Sequence, residues 1–211
     1  MKFTLHCLIL AFSVSLAFAA DQQKAISLFD GKTFNGWDGD TQKTWRIVDG
    51  AIVGGTLSER VPRNEFVATK RSYTNFILRL KFKLLGTEGF VNGGIQIRSQ
   101  RATNPPNEMI GYQADIGDGW WGALYDETRR NKVLTKPEAG VVEKVLTRNE
   151  WNDYEIRCEG KRIRLSINGQ QTIDYTEPDD SIPQHGLIGL QVHGGGKTEI
   201  SYKDITIEEL P

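Results

Sequence analysis

The sequence predicts an all-β protein, built as an antiparallel jelly-roll sandwich of two sheets. Three observations predict this fold. Helix signals are scarce, apolar and polar residues alternate over many short segments, and glycine-rich turns close those segments. Alternation of period two puts every second side chain on the same face of a strand, so each strand can bury one face in a shared core.

The first 19 residues have the features of a secretory signal peptide. Lys2 provides a positive start, residues 5–18 are mostly apolar, and Ala17-Phe18-Ala19 fits a small-x-small cleavage site. We therefore expect residues 1–19 to be removed and residues 20–211 to form a single jelly-roll domain that is secreted or periplasmic. The apolar run is too short for a stable transmembrane helix, so no integral membrane span is predicted.

Strand signals follow one another through the predicted domain. Asp49-Gly50 closes one of them, Glu159-Gly160-Lys161 predicts a hairpin between two others, and Asn168-Gly169 is the strongest hairpin signal in the chain. Residues 100–110 and 118–140 lack such alternation, and we expect them to form long loops of the kind that often carry function. The main predicted strands are 44–48, 51–53, 76–84, 154–158, 163–167, 172–175 and 199–208.

Six polar residues on three predicted strands form the most informative pattern. They alternate with apolar neighbours, so they should share one concave sheet face while the apolar set enters the core. Nearby glycines such as Gly94 and Gly189 would leave room for a ligand to approach the backbone. The face therefore suits a ligand rich in hydroxyl groups, and both long loops adjoin it. The six residues are Gln96, Arg98, Gln113, Asp115, Gln191 and His193.

Aromatic residues in the second loop strengthen a carbohydrate interpretation. Trp120, Trp121 and Tyr125 could stack on the apolar faces of sugar rings, while the polar face pairs with hydroxyls. The alternative is that Trp121 belongs to the core and that a single tryptophan is exposed, because tryptophan is usually mostly buried.

Charge and ligand spacing argue against several other classes. The formal net charge is −1 with no long basic run, so nucleic acid is not an expected partner. Neither His193 nor His185 has a Cys or His partner at metal-ligand spacing, which predicts no transition metal and no cofactor; a structural calcium ion stays open. Cys158 alternates with Tyr154 and Ile156 and is expected to be a buried apolar side chain rather than a nucleophile.

The segment Gln113-Ala-Asp115-Ile-Gly-Asp118 is similar to the Glu-x-Asp-x-x-Glu pattern of jelly-roll glucanases. In those enzymes the two glutamates serve as nucleophile and acid, close together for a retaining mechanism. Gln113 stands at the first position and cannot be that nucleophile, so ordinary hydrolysis by two carboxylates is not expected.

A series of motifs in order resembles the 3-keto-disaccharide hydrolase family, once labelled a domain of unknown function. Many members have Tyr-Glu-x-Gln where this chain has Tyr112-Gln113-Ala114-Asp115. The resemblance spans Ile26 to Leu210 and implies a concanavalin A-like lectin/glucanase jelly roll. It also implies bacterial secretion and cleavage of glycosides oxidised to a ketone at C3. The motifs are Leu28-Phe29-Asp30-Gly31-Lys32, Gly36-Trp37, Trp45 to Gly50, Asn92-Gly-Gly-Ile, Gly111-Tyr112, Trp151-Asn152, Asn168-Gly169 and Gly186 to His193.

The implied chemistry assigns roles to the residues of the polar face. A C3 ketone acidifies the C2 proton, so a modest base can remove it and the C1 substituent then leaves, after which water can add. Asp115 is the candidate base, Arg98 and His193 are candidate stabilisers or acids, and Glu127 is a rival acid or base. The expected substrate-binding residues are Asn92, Gln96, Gln113, Trp120, Trp121, Tyr125 and Gln191.

Two other classes of function compete with this interpretation. A non-catalytic carbohydrate-binding module would show an exposed flat row of tryptophans, whereas an enzyme would enclose Asp115 and His193 in a pocket. An endo-glucanase-like hydrolase would need two carboxylates about 5 Å apart. In each case the partner is a carbohydrate or glycoside.

Overall fold

The computed structural model describes residues 24–211, so the predicted signal peptide lies outside the described residues. This part of the chain consists of strands, turns and loops and contains no helix, and accordingly no helix in it could span a membrane. The strands are β1 (Ile26–Ser27), β2 (Trp37–Asp38), β3 (Trp45–Val48), β4 (Ala51–Gly55), β5 (Glu65–Thr69), β6 (Phe76–Gly89), β7 (Asn92–Arg101), β8 (Met109–Gly117), β9 (Leu124–Glu127), β10 (Lys132–Thr135), β11 (Asn152–Glu159), β12 (Arg162–Ile167), β13 (Gln170–Thr176), β14 (Leu187–Val192) and β15 (Gly196–Glu209).

Two antiparallel sheets divide these strands between them, which confirms the predicted fold class. The eight-stranded sheet has the order β13-β12-β11-β6-β15-β4-β3, with β1 beside β15. The seven-stranded sheet has the order β10-β9-β8-β7-β14-β5-β2. Neighbours distant in sequence, such as β7 and β14, are characteristic of a jelly roll rather than of a simple meander.

Both predicted hairpins of the eight-stranded sheet are present. Cys158 pairs with Ile163 across the β11–β12 turn, and Ile167 pairs with Gln170 across the β12–β13 turn. Asn168 and Gly169 have φ angles of 48° and 79°, the left-handed conformation that a two-residue hairpin turn requires.

The core lies between the two sheets and contains the apolar side chains that alternate with the six polar residues along the strands. Ile95, Tyr112, Ala114 and Leu190 are fully buried there. Cys158 is buried in the same core as a free thiol, and burial raises its pKa to about 12, so it is the inert apolar side chain that its spacing predicts.

The prediction of an irregular stretch over residues 118–140 was wrong, because this stretch contains β9 and β10. The carboxylate of Asp126 is fully buried in β9, where it forms ion pairs with Arg129 and Arg130. Arg130 also pairs with the buried Glu177, so the arginine pair anchors this edge of the sheet.

The first predicted loop, residues 100–110, is shorter in the structure and consists of residues 102–108. It covers part of the outer face of the seven-stranded sheet. Asn107 donates a hydrogen bond of 3.0 Å from its side-chain amide to the carbonyl of Asn64. The outer face under and beside this loop is filled by Phe66, Ala68 and Met109, which form a second small apolar cluster. The loop therefore closes one half of the polar face, as its position next to β8 predicts.

The glycines of the outer face were expected to leave room for a ligand, and this expectation was wrong at two positions. A Cβ on Gly94 would meet the side chain of Gln113, and a Cβ on Gly189 would meet the sulfur of Met109. These glycines make room for side chains of the protein itself, which then cover the backbone.

Candidate active site

A cavity of about 190 Å³ remains open on the uncovered half of the outer face. Nearly all of the residues around it were predicted from sequence, and Phe90 is the addition. The cavity brings together both candidate carboxylates, the candidate histidine and two of the three candidate aromatic residues. The lining residues are Phe90, Asn92, Gln113, Asp115, Trp120, Tyr125, Glu127 and His193.

Two adjacent strands supply most of the cavity. Gln113 and Asp115 are alternate residues of β8, and Tyr125 and Glu127 are alternate residues of β9, so all four face the same way. Gln113 pairs directly with Tyr125 in the ladder. His193 follows β14, and its backbone N–H donates a hydrogen bond of 3.1 Å to the carbonyl of Asn92, which holds it beside the start of β7.

The carboxyl group of Asp115 is almost completely buried, with 3% of the residue exposed. Its Oδ1 accepts a 2.9 Å hydrogen bond from Nε2 of Gln113, while Oδ2 has no partner among the described residues. Burial raises the pKa of Asp115 to about 8; the Gln113 bond and Lys136 lower it, and Glu127 raises it. At neutral pH the group carries its proton, which suits a proton donor rather than the base predicted from sequence.

A row of buried side chains stands behind Asp115. Nε2 of Gln96 donates to Oε1 of Gln113 at 2.9 Å, and the hydroxyl of Ser99 donates to Oε1 of Gln96 at 2.6 Å. With the Gln113 bond to Asp115, these contacts form one continuous chain that orients the carboxyl group. Gln96 was predicted to bind substrate, but it does not line the cavity and contacts Gln113 instead.

Glu127 is the second carboxylate of the cavity. Burial, together with the smaller effect of the negative charges of Glu108 and Asp126, raises its pKa to about 7. Glu108 lies at the end of the covering loop, and burial also raises its own pKa. Glu108 was not predicted from the sequence, because a carboxylate in a segment without alternation gives no sign of which sheet face it will reach.

The imidazole of His193 has a defined proton arrangement. Its Nδ1 lies 2.7 Å from the carbonyl oxygen of Gly194, and a carbonyl can only accept, so Nδ1 carries the proton and Nε2 is bare. Burial lowers the pKa of His193, which makes the neutral form dominant at neutral pH. Phe90 packs edge-on against this ring with centroids 4.6 Å apart.

The two tryptophans take different places. Trp120 lines the cavity, makes an edge-on contact with Tyr125 at 5.9 Å, and has the ammonium of Lys136 at 4.4 Å from its ring centroid. Trp121 instead stacks on the core residue Phe82, with ring centroids 6.3 Å apart. The prediction that Trp121 lines the same site was wrong, and the alternative that it packs on the core is the one observed.

Arg98 was predicted to share the site, and this was wrong. A bulge between Ile97 and Gln100 interrupts the ladder, and Arg98 has a φ of 49°. Its guanidinium donates to the carbonyls of Thr74 and Gly160 at 2.7 and 2.6 Å. The bulge thus breaks the period-two alternation on which the prediction relied, and Arg98 does not line the cavity.

Gln191 does lie on the outer face, but it is fully buried and does not line the cavity either. Its amide has no hydrogen-bond partner among the described residues. Within residues 24–211, no group of three or more His, Cys, Asp or Glu side chains is arranged to hold a metal ion.

Solved structures with this fold include proteins described as a candidate glycosyl hydrolase, a carbohydrate binding module and a lectin-like domain. A candidate glycosyl hydrolase from Parabacteroides distasonis is 21% identical with a TM-score of 0.67, over 89% of this chain and 94% of that one. The carbohydrate binding module CBM66 from Bacillus subtilis is 18% identical with a TM-score of 0.63, over 82% and 96% of the chains. A legume lectin-like domain from Entamoeba histolytica is 12% identical with a TM-score of 0.54, over 84% and 91%. At these identities the likeness shows the fold alone.

The sequence itself carries a more specific match. Residues 24–208 match the sequence profile of a family described as the 3-keto-alpha-glucoside-1,2-lyase-like domain. This match covers all but the last three of the described residues. No functionally curated protein matches the sequence.

Proposed function

The chain belongs to the family of 3-keto-alpha-glucoside-1,2-lyase-like domains, and from this membership and its cavity we propose that it cleaves glycosides carrying a ketone at C3. One observation supports this function above the others. Asp115, with a pKa of about 8, and His193, with a lowered pKa, line the same cavity. At neutral pH one is a proton donor and the other a proton acceptor, which is the pair that an elimination needs.

In the proposed reaction, Nε2 of His193 removes the proton from C2 of the 3-keto sugar. The electron pair of that C–H bond passes into an enolate with the C3 oxygen. As the C3 ketone re-forms, a double bond forms between C1 and C2 and the bond from C1 to the leaving oxygen breaks. Oδ2 of Asp115 donates its proton to that oxygen, and solvent returns the proton from His193 to Asp115. Water can then add to the double bond and complete a net hydrolysis.

The other cavity residues serve binding in this proposal. Trp120 and Tyr125 offer apolar surface to the sugar ring, and Asn92 and Gln113 offer amides to hydroxyls. Glu127 is the second candidate for the base, because its pKa of about 7 lies close to a neutral operating pH. Replacing Glu127 with Gln and His193 with Gln in separate variants distinguishes the two, since the variant lacking the base loses most of kcat.

A non-catalytic carbohydrate-binding module is the second candidate function, since a module of this type shares the fold. The enclosure of Asp115 and His193 in a cavity favours the enzyme, because such a module would instead expose a flat row of tryptophans. Trp121, which packs on Phe82, does not contribute to such a row.

Incubation of the purified protein with a 3-keto-disaccharide and with the same unoxidised disaccharide tests the proposal. We expect cleavage of the 3-keto substrate alone, and deuterium at C2 slows it if proton removal is rate-limiting. Turnover of the unoxidised sugar would favour an endo-glucanase-like mechanism through Asp115 and Glu127, and binding without turnover would favour the binding module.

We also propose that the protein acts outside the cytoplasm. The positive start, the apolar run and the Ala-x-Ala site of residues 1–19 support export. Mass spectrometry of the protein from its native host should find the mature N-terminus at Ala20 or Asp21. An intact Met1 in the cytoplasm would contradict export.

A further inference from the structure

The first cavity is too small for a whole disaccharide. Pockets for ligands of that size usually have volumes of roughly 300–1,000 Å³, whereas this cavity has about 190 Å³. We therefore expect it to take a single sugar ring, with the leaving group of a disaccharide substrate outside it. A second cavity of about 220 Å³ adjoins it, and the two share Phe90 as a common wall.

The turn after β8 connects the two cavities. Trp120 lines the first cavity, whereas its neighbour Trp121 lines the second together with Asp118 and Arg148. Phe90 is 41% exposed, although it is a large apolar side chain, and it lines both cavities. An exposed aromatic ring between two cavities suits contact with a ligand that occupies both.

The second cavity carries a fixed aromatic ring with charged groups at its edge. Trp121 is held on Phe82 by stacking, and its indole N–H donates a 2.9 Å hydrogen bond to Oδ1 of Asp118. Arg148 donates to the same oxygen at 2.6 Å. These two bonds lower the pKa of Asp118, which is therefore ionised at neutral pH.

This arrangement leaves capacity for hydroxyl groups. Oδ2 of Asp118 accepts no hydrogen bond among the described residues, and the guanidinium of Arg148 has further N–H groups beyond the one that Asp118 uses. Both side chains are well exposed, at 71% and 59%. An acceptor and a donor beside a rigid aromatic ring are the chemistry that recognises a sugar.

We propose that the second cavity is the subsite for the leaving group and that it takes a second pyranose ring. The inference rests on the proposed function, because it assigns the sugar in the first cavity to the 3-keto half of the substrate. Arg148 and Asp118 then bind hydroxyls of the leaving sugar, and Phe90 contacts both rings. The turn 118–121 thereby couples recognition of the leaving group to the cavity that contains Asp115.

Two substrates that differ in the leaving group test this subsite. The Arg148→Ala variant is compared with wild type on a 3-keto-disaccharide and on the methyl 3-keto-glucoside. We expect kcat/KM for the disaccharide to fall about tenfold, because the variant loses one hydrogen bond to a charged group. The change in kcat/KM for the methyl glycoside should be far smaller. Arg162→Ala is the matched control, because Arg162 is a half-exposed arginine paired with Asp174 on the other sheet. Equal effects on both substrates, or none, would overturn the subsite.

A phenyl 3-keto-glucoside tests the nature of the leaving group. If Arg148→Ala impairs this substrate as much as the disaccharide, the cavity recognises any ring and the assignment of a second sugar is overturned.

A binding measurement tests the subsite independently of the proposed reaction. If wild type cleaves none of the glycosides, the proposed function fails, and calorimetric titration with the unoxidised disaccharide still decides the subsite. Tighter binding of the disaccharide than of methyl glucoside, weakened by Arg148→Ala, supports it, and equal binding refutes it.

Discussion

Asp115 differs from an ordinary surface aspartate in its surroundings. It is 3% exposed, and its carboxyl group accepts one hydrogen bond, from the side-chain amide of Gln113. Burial therefore keeps the carboxyl group protonated near neutral pH. The Asp115→Asn variant should lose about 10²–10⁴ in kcat, because an amide cannot donate an acidic proton. The alkaline limb of the wild-type rate, expected at a pH of about 8, should be absent from the residual activity. Near-wild-type turnover would remove Asp115 from the mechanism.

Gln113 provides a second prediction about the same carboxyl group. Its hydrogen bond favours the ionised form of Asp115 and lowers the pKa that burial raises. Gln113→Leu removes the bond, so the pKa of Asp115 rises and the alkaline limb of kcat/KM moves to higher pH. Gln191→Leu is the control, since Gln191 is equally buried on this face but its side-chain amide bonds to no described residue. A limb that stays in place in Gln113→Leu would contradict the coupling.

At the scale of elements, the bulge in β7 directs Arg98 away from the predicted active site, and its side chain instead connects segments of the fold. Besides two carbonyls, its guanidinium contacts the side chains of Gln184 and Asn75 at 2.7 and 3.2 Å. These bonds link β7 to the segment before β6 and to the segment between β13 and β14. The guanidinium fork is planar, and an ammonium cannot reproduce it.

We therefore predict that Arg98→Lys lowers the free energy of unfolding by about 2–4 kcal/mol, since hydrogen bonds to charged groups are worth about 1.5–3 kcal/mol each. The kcat of the folded variant should stay close to that of wild type. Urea unfolding and steady-state kinetics on the same preparation measure both quantities, with Arg162→Lys as an exposed control. A loss of kcat at unchanged stability would return Arg98 to the active site.

Strand periodicity explains which elements could be predicted from sequence. β11 and β12 alternate cleanly, and standard turn residues join them to each other and to β13, so both hairpins were predictable. β9 was not, because the buried carboxylate of Asp126 looks like a surface residue until its arginine partners are known. The bulge at Arg98 gives no local signal either, since it depends on register with β8.

For the molecule as a whole, the sequence predicted which sheet face carries the site better than it predicted the site's extent. Gln113, Asp115 and His193 reach the cavity, but Gln96 and Gln191 on the same face do not. The alternation of apolar and polar residues along a strand identifies the sheet face on which a side chain lies. It does not show which part of that face a segment distant in sequence will cover. Here the loop 102–108 and Met109 cover part of the face, and that long-range packing reduces an open sheet to a cavity of about 190 Å³.

The same burial that keeps Asp115 protonated should make the stability of the whole domain depend on pH. The pKa of Asp115 rises from 3.8 to about 8 on folding, and that of Glu127 rises from 4.5 to about 7. The folded state therefore binds these protons more tightly than the unfolded state. The resulting stabilisation is complete below a pH of about 4 and is lost as the pH rises to about 8.

We predict that the free energy of unfolding of wild type falls between a pH of about 5 and about 8, with a contribution from Asp115 of at most about 1.4 kcal/mol per pH unit. In Asp115→Asn this contribution is absent, so the variant should lose less stability over the same range and be more stable than wild type at the alkaline end. Urea unfolding across the range measures the slope, and Glu143→Gln, which removes an exposed carboxylate, is the control. Parallel slopes for wild type and Asp115→Asn would mean that Asp115 is ionised in the folded protein, and the donor role would then pass to another group.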